Sequence, residues 1–465
     1  MARKKKTSKK FAKRPKSAKP AKEEILLQPP RGMRDILPQD QPYWQQVRRV
    51  SEKAAADFGY RRIDIPLVEF MNLFSRSIGE GSDIVEKEMY SFSTKGGEKV
   101  TLRPEFTAGI ARAYIQHGMH VAPRPVKLYY IGPCYRYDRP QEGRFREFFQ
   151  FGCEALGEQD PVIDAQMIQM GWRVIYQLGI RNVKVYVNSI GCPACQKSFR
   201  NLLVHYFESK KQKLCIDCKR RLEANPLRIL DCKEDKCVQV KASAPQSIDH
   251  LCDDCRMHFK ELLEYLEELE IPFELDSTLV RGLDYYTRTV FEFIPVSLAS
   301  PSLGGPSRGE SVSENGEVKK KNALGGGGRY DGLVKMLGGE DTPAVGFSLG
   351  LDRLVAEMKK LGAKFYREPK PKVFLAQLGT FAKRKSLRMF ESLERAGVMV
   401  AESFGRGSLK SQLKVADRLG VEITLILGQK EALDGTVIVK DMASGNQEIV
   451  DAGKMVDEVK KRLKK

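Results

Sequence analysis

The sequence lacks several features that would point to particular classes of protein. It contains no apolar run of membrane-spanning length and no signal peptide, so we expect a cytoplasmic protein with no membrane partner. No Gly-Lys-Ser/Thr follows its glycine-rich stretch, which argues against a P-loop. It also shows no Ser-His-Asp or Cys-His arrangement, and therefore no sign of a protein nucleophile.

Acidic residues are missing from the start of the chain. Met1 to Lys22 holds eleven Lys or Arg and no Asp or Glu, which is more than half of the net charge of +19. With almost no large apolar residues, this basic tail (1–28) is expected to be disordered. It is either a solubilising arm or a sequence-independent grip on phosphate. A mitochondrial presequence is disfavoured, because the run is Lys-rich and has no amphipathic apolar stripe.

What is present fits a soluble globular protein of several domains. The chain has 465 residues, of which 42% are hydrophobic and 30% charged, and this length predicts two to four domains. The last part, 369–465, alternates short apolar strands with helices and is interpreted as a small α/β unit.

The stretch from Leu128 to Gly157 is the most informative part of the chain. It is interpreted as two antiparallel strands joined by a charged loop. Because alternate residues of a strand share a face, five residues can lie together: Gly132, Arg136, Gln150, Gly152 and Glu154. Two glycines ringed by an arginine, an amide and a carboxylate suit a flat ligand that carries phosphate and amine. The alternative is a charged, solvated sheet face.

A strand-to-helix corner precedes this hairpin. A strand ends at Leu102, a turn holds Pro104 and Glu105, and a helix starts near Thr107. Such corners often carry sites. The ordinary interpretation is that Thr107 caps the helix.

Three polar or glycine-rich stretches follow later in the chain. A polar cluster, Arg281 to Tyr286, leads into the alternating strand Thr287 to Phe293. Four glycines, 325–328, run into a strand or turn and allow a ligand to approach the backbone. A second strand-to-helix corner between Gly346 and Gly350 places Arg353 in the first turns of a helix.

Eight of the ten cysteines fall in one segment, 189–272, as four close pairs. The pairs are Cys192 and Cys195, Cys215 and Cys218, Cys232 and Cys237, and Cys252 and Cys255. Two such pairs make a tetrahedral thiolate site of the zinc type, and four make two, but the spacing does not show which pairs meet. Disulfides are disfavoured in the cytosol, and reduced structural cysteines are the alternative.

In this order, these pieces resemble the class II aminoacyl-tRNA synthetases and, among them, the histidyl-tRNA synthetase family. The three class motifs map to Pro42–Val68, Tyr130–Glu154 and Gly346–Leu354. The two histidine-specific stretches appear as RGLDYYTRTVFEF (Arg281–Phe293) and GGGRYDGL (Gly326–Leu333). The resemblance covers about Pro29 to the C terminus. The basic tail is extra, the excursion at 295–321 is longer than usual, and the inserted module is variable in the family.

The resemblance implies an α+β fold with a division into domains. An antiparallel-sheet catalytic domain would comprise 29–188 and 273–365, with a flexible excursion at 295–321. The cysteine-rich segment 189–272 would be an inserted helical module, and 369–465 the α/β anticodon-binding domain. In that last domain Lys410, Lys414 and Arg418 share one face of a helix, which either meets RNA or is solvated.

The resemblance also implies a histidine–tRNA ligase. ATP would activate L-histidine to histidyl-adenylate, and the histidyl group would pass to the 3′ end of tRNA(His), with release of AMP and pyrophosphate. Mg²⁺ would neutralise the phosphates, and the protein would be a homodimer. Structural Zn²⁺ is possible at the cysteine pairs, and because the module is an insertion, losing this zinc should damage tRNA charging or solubility more than adenylate formation.

Residue roles follow from the resemblance. Arg136 would hold the α-phosphate, Arg353 the outer phosphates, and Arg281 would lie over the reacting carboxylate and α-phosphate, so Arg281 and Arg136 are the predicted catalytic residues. Histidine would be bound by the following residues: Glu105, Phe106, Thr107, Arg136, Gln150, Glu154, Arg281, Tyr285 and Tyr286. Within that set, Glu105, Thr107 and Gln150 match the acceptors for the α-ammonium. Glu154 and Tyr286, with Tyr285 beside them, match the imidazole-binding residues. No metal ligand is assigned.

Two rival functions are consistent with parts of the sequence. A non-catalytic regulatory paralogue would be expected to lack Arg281, Tyr286 and the C-terminal domain, all of which are present. A plain nucleic-acid-binding protein would explain the charge, but would not need Glu105, Gln150 and Glu154 in matching positions.

Overall fold

The computed structural model describes residues 27–464 except 80–81, 139–142, 297–309, 313–317, 321–322, 363–369 and 406. The basic tail and most of the excursion at 295–321 lie outside the described residues. The chain divides into two compact units, Met1–Phe365 and Tyr366–Lys465.

The first unit is organised around one large sheet. Its strands, in chain order, are β1 (Arg61–Arg62), β2 (Val68–Phe70), β3 (Ser91–Ser93), β4 (Lys99–Leu102), β5 (Val126–Tyr135), β6 (Glu147–Leu156), β7 (Val183–Ser189), β8 (Phe273–Leu275), β9 (Thr287–Pro295), β10 (Glu310–Val312), β11 (Val318–Lys320), β12 (Gly325–Arg329) and β13 (Ala344–Gly350). The large sheet has the order β1-β5-β6-β13-β12-β9-β7-β8. Its six inner strands are antiparallel, as predicted, and only the edge strands β1 and β8 pair parallel to their neighbours.

Helices pack around this sheet. They are α1 (Gln41–Asp57), α2 (Met71–Ile78), α3 (Thr107–Gln116), α4 (Pro161–Gln177), α5 (Pro193–Glu208), α6 (Ile216–Ala224), α7 (Asp235–Lys241), α8 (Asp253–Glu268), α9 (Leu333–Met336) and α10 (Leu351–Lys360). The small sheet β2-β4-β3 and the hairpin of β10 with β11 complete the described strands. The first class motif, mapped to Pro42–Val68, begins within α1, and Gly59 follows the end of this helix with a positive φ of 80°.

The strands β5 and β6 pair in the register that the predicted polar face requires. Gly132 lies opposite Gln150, and Tyr130 lies opposite Gly152. Residues of the other parity, such as Phe151, belong to a buried apolar cluster with α1, α4 and α10 on the opposite face of the sheet. That burial fixes the face on which the polar residues lie, because a slip of one residue would exchange the two faces.

The glycine run forms β12 in the middle of the sheet. A Cβ at Gly327 would overlap the Gly346 carbonyl of β13, and one at Gly328 would overlap the Thr289 carbonyl of β9. These two glycines therefore allow close approach of neighbouring strands, and not of a ligand as the sequence suggested. Gly325 and Gly326, at the start of β12, do line a cavity.

The inserted module lies between β7 and β8 and contains α5 to α8. It begins with α5 and ends with α8, in agreement with the helical module that the resemblance implies. Between them the chain makes shorter helical elements around the central cysteines.

The second unit is a mixed α/β structure. Its strands are β14 (Val373–Gln377), β15 (Val400–Glu402), β16 (Ile423–Leu427), β17 (Thr436–Asp441) and β18 (Gln447–Asp451), and its helices are α11 (Thr380–Arg395), α12 (Leu409–Leu419), α13 (Gln429–Asp434) and α14 (Met455–Leu463). The sheet order is β15-β14-β16-β17-β18, parallel up to β16 and antiparallel beyond it. The edge strand β18 is largely exposed, so no apolar alternation in the sequence reveals it.

Among the described residues, no helix is both long enough and apolar enough to span a membrane.

Candidate active site

A cavity of about 600 Å³ lies over the polar face of the large sheet. Most of the residues predicted to bind histidine or ATP line it: Glu105, Phe106, Thr107, Arg136, Gln150, Arg281, Tyr285, Tyr286 and Arg353. These residues come from α3, the β5–β6 hairpin, the segment before β9, and α10, so the fold brings together parts of the chain far apart in sequence. Glu154 is buried just behind the wall.

The corner before α3 is held by Glu105. Its buried carboxylate accepts hydrogen bonds from the backbone N–H groups of Thr107 at 2.5 Å and Ala108 at 3.0 Å. Burial raises the pKa of Glu105, although these hydrogen bonds oppose the shift. The cap predicted at Thr107 is wrong: Thr107 is the first helical residue, and the preceding carboxylate satisfies the free N–H groups. The Thr107 hydroxyl is thereby available for another contact.

The Thr107 hydroxyl contacts Glu154, whose carboxylate accepts hydrogen bonds from three hydroxyl groups. Thr107 donates at 2.8 Å and Tyr130 at 3.3 Å to Oε1, and Tyr330 donates at 2.6 Å to Oε2. Glu154 is only 1% exposed. Burial raises its pKa to about 8, and the hydroxyl donors hold it below what burial alone would produce. Burial therefore favours the protonated form of Glu154 more than in an exposed carboxyl.

The two glycines of the hairpin make room for protein side chains. A Cβ at Gly152 would overlap the Tyr130 ring, and one at Gly132 would meet Arg103 Nη2 at 2.8 Å. Phe106 stacks on Tyr130 with ring centroids 4.0 Å apart. The sequence suggested that the two glycines would form a bare floor for a ligand. In the structure Phe106 and Tyr130 cover this floor, because they fill the space that the missing Cβ atoms leave.

A third glycine, Gly346 on β13, makes room for Glu154. It lies opposite Glu154 in the sheet, and a Cβ there would occupy the position of the carboxylate. The sequence analysis placed Gly346 only at a strand-to-helix corner. Its steric role follows from strand pairing, which the local sequence does not show.

Arg281 enters the cavity with part of its guanidinium unsatisfied. Its Nη1 donates to Glu292 at 2.6 Å, and the guanidinium carbon lies 5.6 Å from the centre of the Tyr286 ring. Its buried Nε has no hydrogen-bond partner among the described residues. A donor left unpaired in a buried site is a position for a ligand oxygen.

Two further predicted arginines, Arg136 and Arg353, line the cavity. Arg136 Nε donates to the Pro104 carbonyl at 2.9 Å, and Arg353 Nε donates to the Gly143 carbonyl at 3.2 Å. Burial, with the nearby charges of Arg144 and Arg136, lowers the pKa of Arg353 to about 10. Arg136 and Arg353 are thus hydrogen-bonded to backbone carbonyls, which do not neutralise their charge, so they suit an anionic ligand.

Gln150 lies between these groups on the cavity wall. Its Nε2 donates to the Ser348 hydroxyl at 3.4 Å, and the Cys134 thiol donates to its Oε1 at 3.4 Å. Gln150 is therefore bonded to neighbouring side chains while it lines the cavity.

The inserted module also contributes to the cavity, which the sequence analysis did not predict. Arg221, Arg228, Cys215 and Cys232 are among the lining residues. Asp83, on the catalytic side, accepts hydrogen bonds from Arg221 at 2.8 Å and from Arg228 at 3.2 Å. The module is therefore a wall of the site and not a separate appendage.

The eight module cysteines form two groups of four. The first pair joins the fourth, and the second joins the third: Cys192, Cys195, Cys252 and Cys255; and Cys215, Cys218, Cys232 and Cys237. Within each group all sulfur atoms lie within 4.8 Å of one another. We name these the outer cluster and the inner cluster, respectively.

The cluster geometry fits a tetrahedral metal and not disulfides. The Cys192 and Cys195 sulfurs are 3.6 Å apart, and those of Cys215 and Cys232 are 3.9 Å apart. A tetrahedral Zn²⁺ with Zn–S bonds of about 2.3 Å places its sulfurs about 3.8 Å apart. Backbone N–H groups also point at the sulfurs, as at Cys218 N to Cys215 Sγ, 3.3 Å. Such bonds stabilise thiolates.

Three residues near the site were given no role from the sequence: Tyr130, Tyr330 and Arg103. Tyr130 and Tyr330 bind the Glu154 carboxylate. Arg103 is buried, with its guanidinium carbon 4.0 Å from the Phe106 ring centre. Tyr130 and Tyr330 each lie in a motif that the sequence revealed, but only the fold shows that both reach Glu154.

In the second unit, α12 displays the predicted basic face. Lys410, Lys414 and Arg418 are exposed, while Gln412 and Ala416 on the other side are buried. The Gln412 side chain bonds to Gln377 of β14 at both backbone groups, which fixes the helix against the sheet. The basic face is therefore presented to solvent.

An antiparallel six-stranded core, an arginine-lined cavity on one face and a separate α/β unit define a class II aminoacyl-tRNA synthetase. Comparison with known proteins identifies the family. The family model for histidyl-tRNA synthetase matches residues 32–305, and that for the anticodon-binding domain matches residues 372–462. The chain belongs to the histidyl-tRNA synthetase family.

Curated relatives and solved structures agree with this assignment. A histidine–tRNA ligase of Dehalococcoides mccartyi is 44% identical over 94% of this chain and all of its own length, and one of Acetivibrio thermocellus is 42% identical over the same shares. The structure of apo S. aureus histidyl-tRNA synthetase matches with a TM-score of 0.73 at 32% identity, covering 93% of this chain and 99% of that one.

Proposed function

We propose that this chain is a histidine–tRNA ligase that works in two steps at the cavity. Histidine is the amino acid named for the family to which the chain belongs. In the first step the carboxylate of L-histidine attacks the α-phosphorus of ATP and pyrophosphate leaves. In the second the terminal ribose hydroxyl of tRNA(His) attacks the adenylate carbonyl and AMP leaves. The observation that carries the proposal is one cavity holding Arg136, Arg281 and Arg353 beside Glu105 and Gln150.

The arginines act on the anionic parts of the substrates. Phosphoryl transfer depends mainly on positioning and on stabilisation of charge, so no protein nucleophile is required. We assign Arg136 to the α-phosphate, Arg353 to the outer phosphates, and Arg281 to the reacting carboxylate and α-phosphate. The unpaired Nε of Arg281 supports its role.

Acceptor groups select the amino acid. Glu105, Thr107 and Gln150 face the cavity and are assigned to the α-ammonium, with Phe106 as part of the wall. Tyr286, with Tyr285 beside it, is assigned to the imidazole. Glu154 would accept a hydrogen bond from an imidazole N–H in place of one of its three hydroxyl donors. A site that pairs both ring nitrogens rejects apolar amino acids, because its polar groups would be left unpaired.

ATP is used as its Mg²⁺ complex in this proposal. Carboxylates of Glu88 and Glu292 lie on the cavity wall. Mg²⁺ takes oxygen ligands and commonly binds through phosphates with one or two carboxylates, so these residues are suited to it. When bound, Mg²⁺ would neutralise part of the phosphate charge.

Zinc is proposed for both cysteine clusters, which the sulfur spacing supports. We expect two Zn²⁺ per chain after purification in metal-free buffer, measured by elemental analysis. Protein without zinc, in which all eight thiols titrate freely, would refute this.

The protein is proposed to act in the cytoplasm as a homodimer. The small sheet supports the dimer: Val68, Phe70 and Phe92 on it are exposed, which favours burial by a second copy. Sedimentation velocity would decide this point.

One assay tests the main proposal against a regulatory paralogue. A structure of an ATP phosphoribosyltransferase regulatory subunit/histidyl-tRNA synthetase from Bacillus halodurans matches with a TM-score of 0.58 but 19% identity, which shows the fold alone. ATP–pyrophosphate exchange should be measured with each of the twenty amino acids. We expect exchange with histidine only; absence of exchange with every amino acid would exclude the enzyme.

A further inference from the structure

The inner cysteine cluster lies beside the substrate cavity, whereas the outer cluster does not. Cys215 and Cys232 of the inner cluster line the cavity, and no cysteine of the outer cluster is among its lining residues within the described parts of the chain. The 23 residues from Cys215 to Cys237 contain α6 and a short 3₁₀ turn at Pro226–Ile229. We name them the inner segment.

The inner segment is attached to the catalytic domain by an ion cluster. Asp83 accepts from Arg220 at 3.3 Å as well as from Arg221 and Arg228. Burial would raise the pKa of Asp83, but the hydrogen bond and charge of Arg221, with those of Arg228, lower it. Arg228 is 15% exposed and Arg221 22%, so these contacts are partly desolvated.

The same segment holds the stretch that carries Arg281, Tyr285 and Tyr286. Asn225 Nδ2 donates to Asp284 Oδ1 at 2.8 Å, and Arg228 Nη1 donates to the Gly282 carbonyl at 3.3 Å. On its other side, Asp284 N donates to the Ile78 carbonyl at 3.3 Å. The stretch 281–286 is therefore clamped between the end of α2 and the inner segment.

The inner segment packs on the core through buried side chains such as Leu222, Leu227 and Ile229, and its cysteines join its two ends. Its helix α6 has nine residues, which is too short to be stable in isolation. Cys215 and Cys218 lie at the start of α6, and Cys232 follows the 3₁₀ turn that carries Arg228. A metal held by the inner cluster would join these two ends and so fix the positions of Asn225 and Arg228 between them.

We propose that the metal of the inner cluster is a positioning element of the active site. It takes no part in the chemistry; it holds the inner segment, which in turn holds Arg281, Tyr285 and Tyr286 in place for histidine. The inference rests on the proposed function for the identity of the substrate. It reverses the expectation drawn from the sequence, because loss of this metal should impair adenylate formation and not only tRNA charging.

The test compares two single-cysteine variants of the full-length protein. Cys218→Ser removes a buried inner-cluster ligand that does not itself line the cavity, and Cys255→Ser removes a buried outer-cluster ligand in the first turn of α8 as the matched control. For each we would measure zinc content, hydrogen exchange at residues 281–285 and separately at 286–288, and KM and kcat in histidine-dependent exchange. Each variant should lose about one Zn²⁺ per chain.

We expect the two variants to differ at the active site. Cys218→Ser should deprotect 281–285 and raise the KM for histidine roughly tenfold or more. Cys255→Ser should raise the KM less than Cys218→Ser does, since its cluster does not border the cavity. It should deprotect 286–288 and not 281–285, because Gln196 and Gly191 beside the outer cluster bond to the backbone of Tyr286 and Arg288. Asn225→Ala, which leaves every cysteine in place, should keep both metals and reproduce part of the rise in KM.

Clear outcomes would overturn the proposal. Equal effects of the two cysteine variants would show a general loss of module stability. A normal KM and normal protection in metal-depleted Cys218→Ser would remove the coupling, as would a normal KM in Asn225→Ala. Should Cys218→Ser fail to fold, Asn225→Ala still decides. Failure of the proposed function is distinguishable, because it would appear as absent histidine exchange in the unaltered protein, whereas metal content and hydrogen exchange need no substrate.

Discussion

At the scale of single residues, burial of the Glu154 carboxyl raises its pKa and makes the stability of the protein depend on pH. Its folded-state pKa of about 8 lies above the ordinary value of 4.5 because it is buried. The folded protein therefore binds its proton more tightly than the unfolded chain. The stability that this proton contributes is fully present below pH 4.5 and is lost as the pH rises toward 8.

We therefore expect Glu154→Gln to flatten the pH dependence of stability. Relative to the variant, the unaltered protein should lose a few kcal/mol of unfolding free energy, on the order of magnitude given by its pKa shift, between pH 5 and 8. Urea unfolding across this range measures it. Glu268→Gln, at an exposed position on α8, is the control. Parallel curves for Glu154→Gln and the unaltered protein would contradict the raised pKa.

Arg281 provides a second prediction at this scale. If it stabilises charge that develops in the transition state, Arg281→Ala should lower kcat of the exchange reaction roughly a hundredfold or more, with a smaller effect on KM. Arg281→Lys should recover only part of the rate, because lysine lacks the planar fork of donors. A kcat unchanged in Arg281→Ala would remove this residue from the mechanism.

At the scale of secondary-structure elements, the pairing of β6 with β13 fixes the position of the Glu154 carboxyl. Gly346 lies directly opposite it, and the absence of a Cβ there leaves the space that the carboxyl fills. Gly346→Ala should displace Glu154 from Tyr330 and destabilise the protein by roughly 1–3 kcal/mol, the cost of overpacking a core. The KM for histidine should rise as well.

Urea unfolding and exchange kinetics measure these two effects. Gly332→Ala is the matched control, since a Cβ at Gly332 would meet no atom within 4 Å and its φ of −88° is open to any residue. Equal stability of the Gly346 and Gly332 variants would show that the sheet can relax around the added methyl group.

At the scale of the whole molecule, the basic parts are expected to divide the work of binding tRNA. The tail, Met1 to Lys22, lies outside the described residues, and its composition predicts affinity for any polyanion without sequence discrimination. The second unit presents Lys410, Lys414 and Arg418 to solvent. Unpaired anticodon bases can be read at their edges by such a domain.

Two variants test this division. Deleting the tail should raise the KM for tRNA, mostly at low salt, and flatten its salt dependence. Replacing Lys410, Lys414 and Arg418 by Ala should weaken charging and leave exchange intact. Charging kinetics over a salt series, with cognate tRNA and one with an altered anticodon, measure both. Altered discrimination after tail deletion, or normal charging by the triple variant at all salts, would contradict the division.

The sequence by itself determined the local elements and the chemical groups of the site. The alternation around Gln150 predicts a strand with a polar face, and the corner at Glu105 predicts a helix start, because both patterns depend on neighbours within a few residues. The order of the motifs along the chain also indicated the family, because each motif has a characteristic set of side chains.

Only the tertiary structure decided what meets across the chain. It joined the first cysteine pair to the fourth and the second to the third, placed Tyr130 and Tyr330 on the Glu154 carboxyl, and filled the space over Gly152 with an aromatic ring. It also made the inserted module a wall of the cavity. Close packing and strand register set these contacts, and both depend on residues far apart in sequence, so no local pattern encodes them.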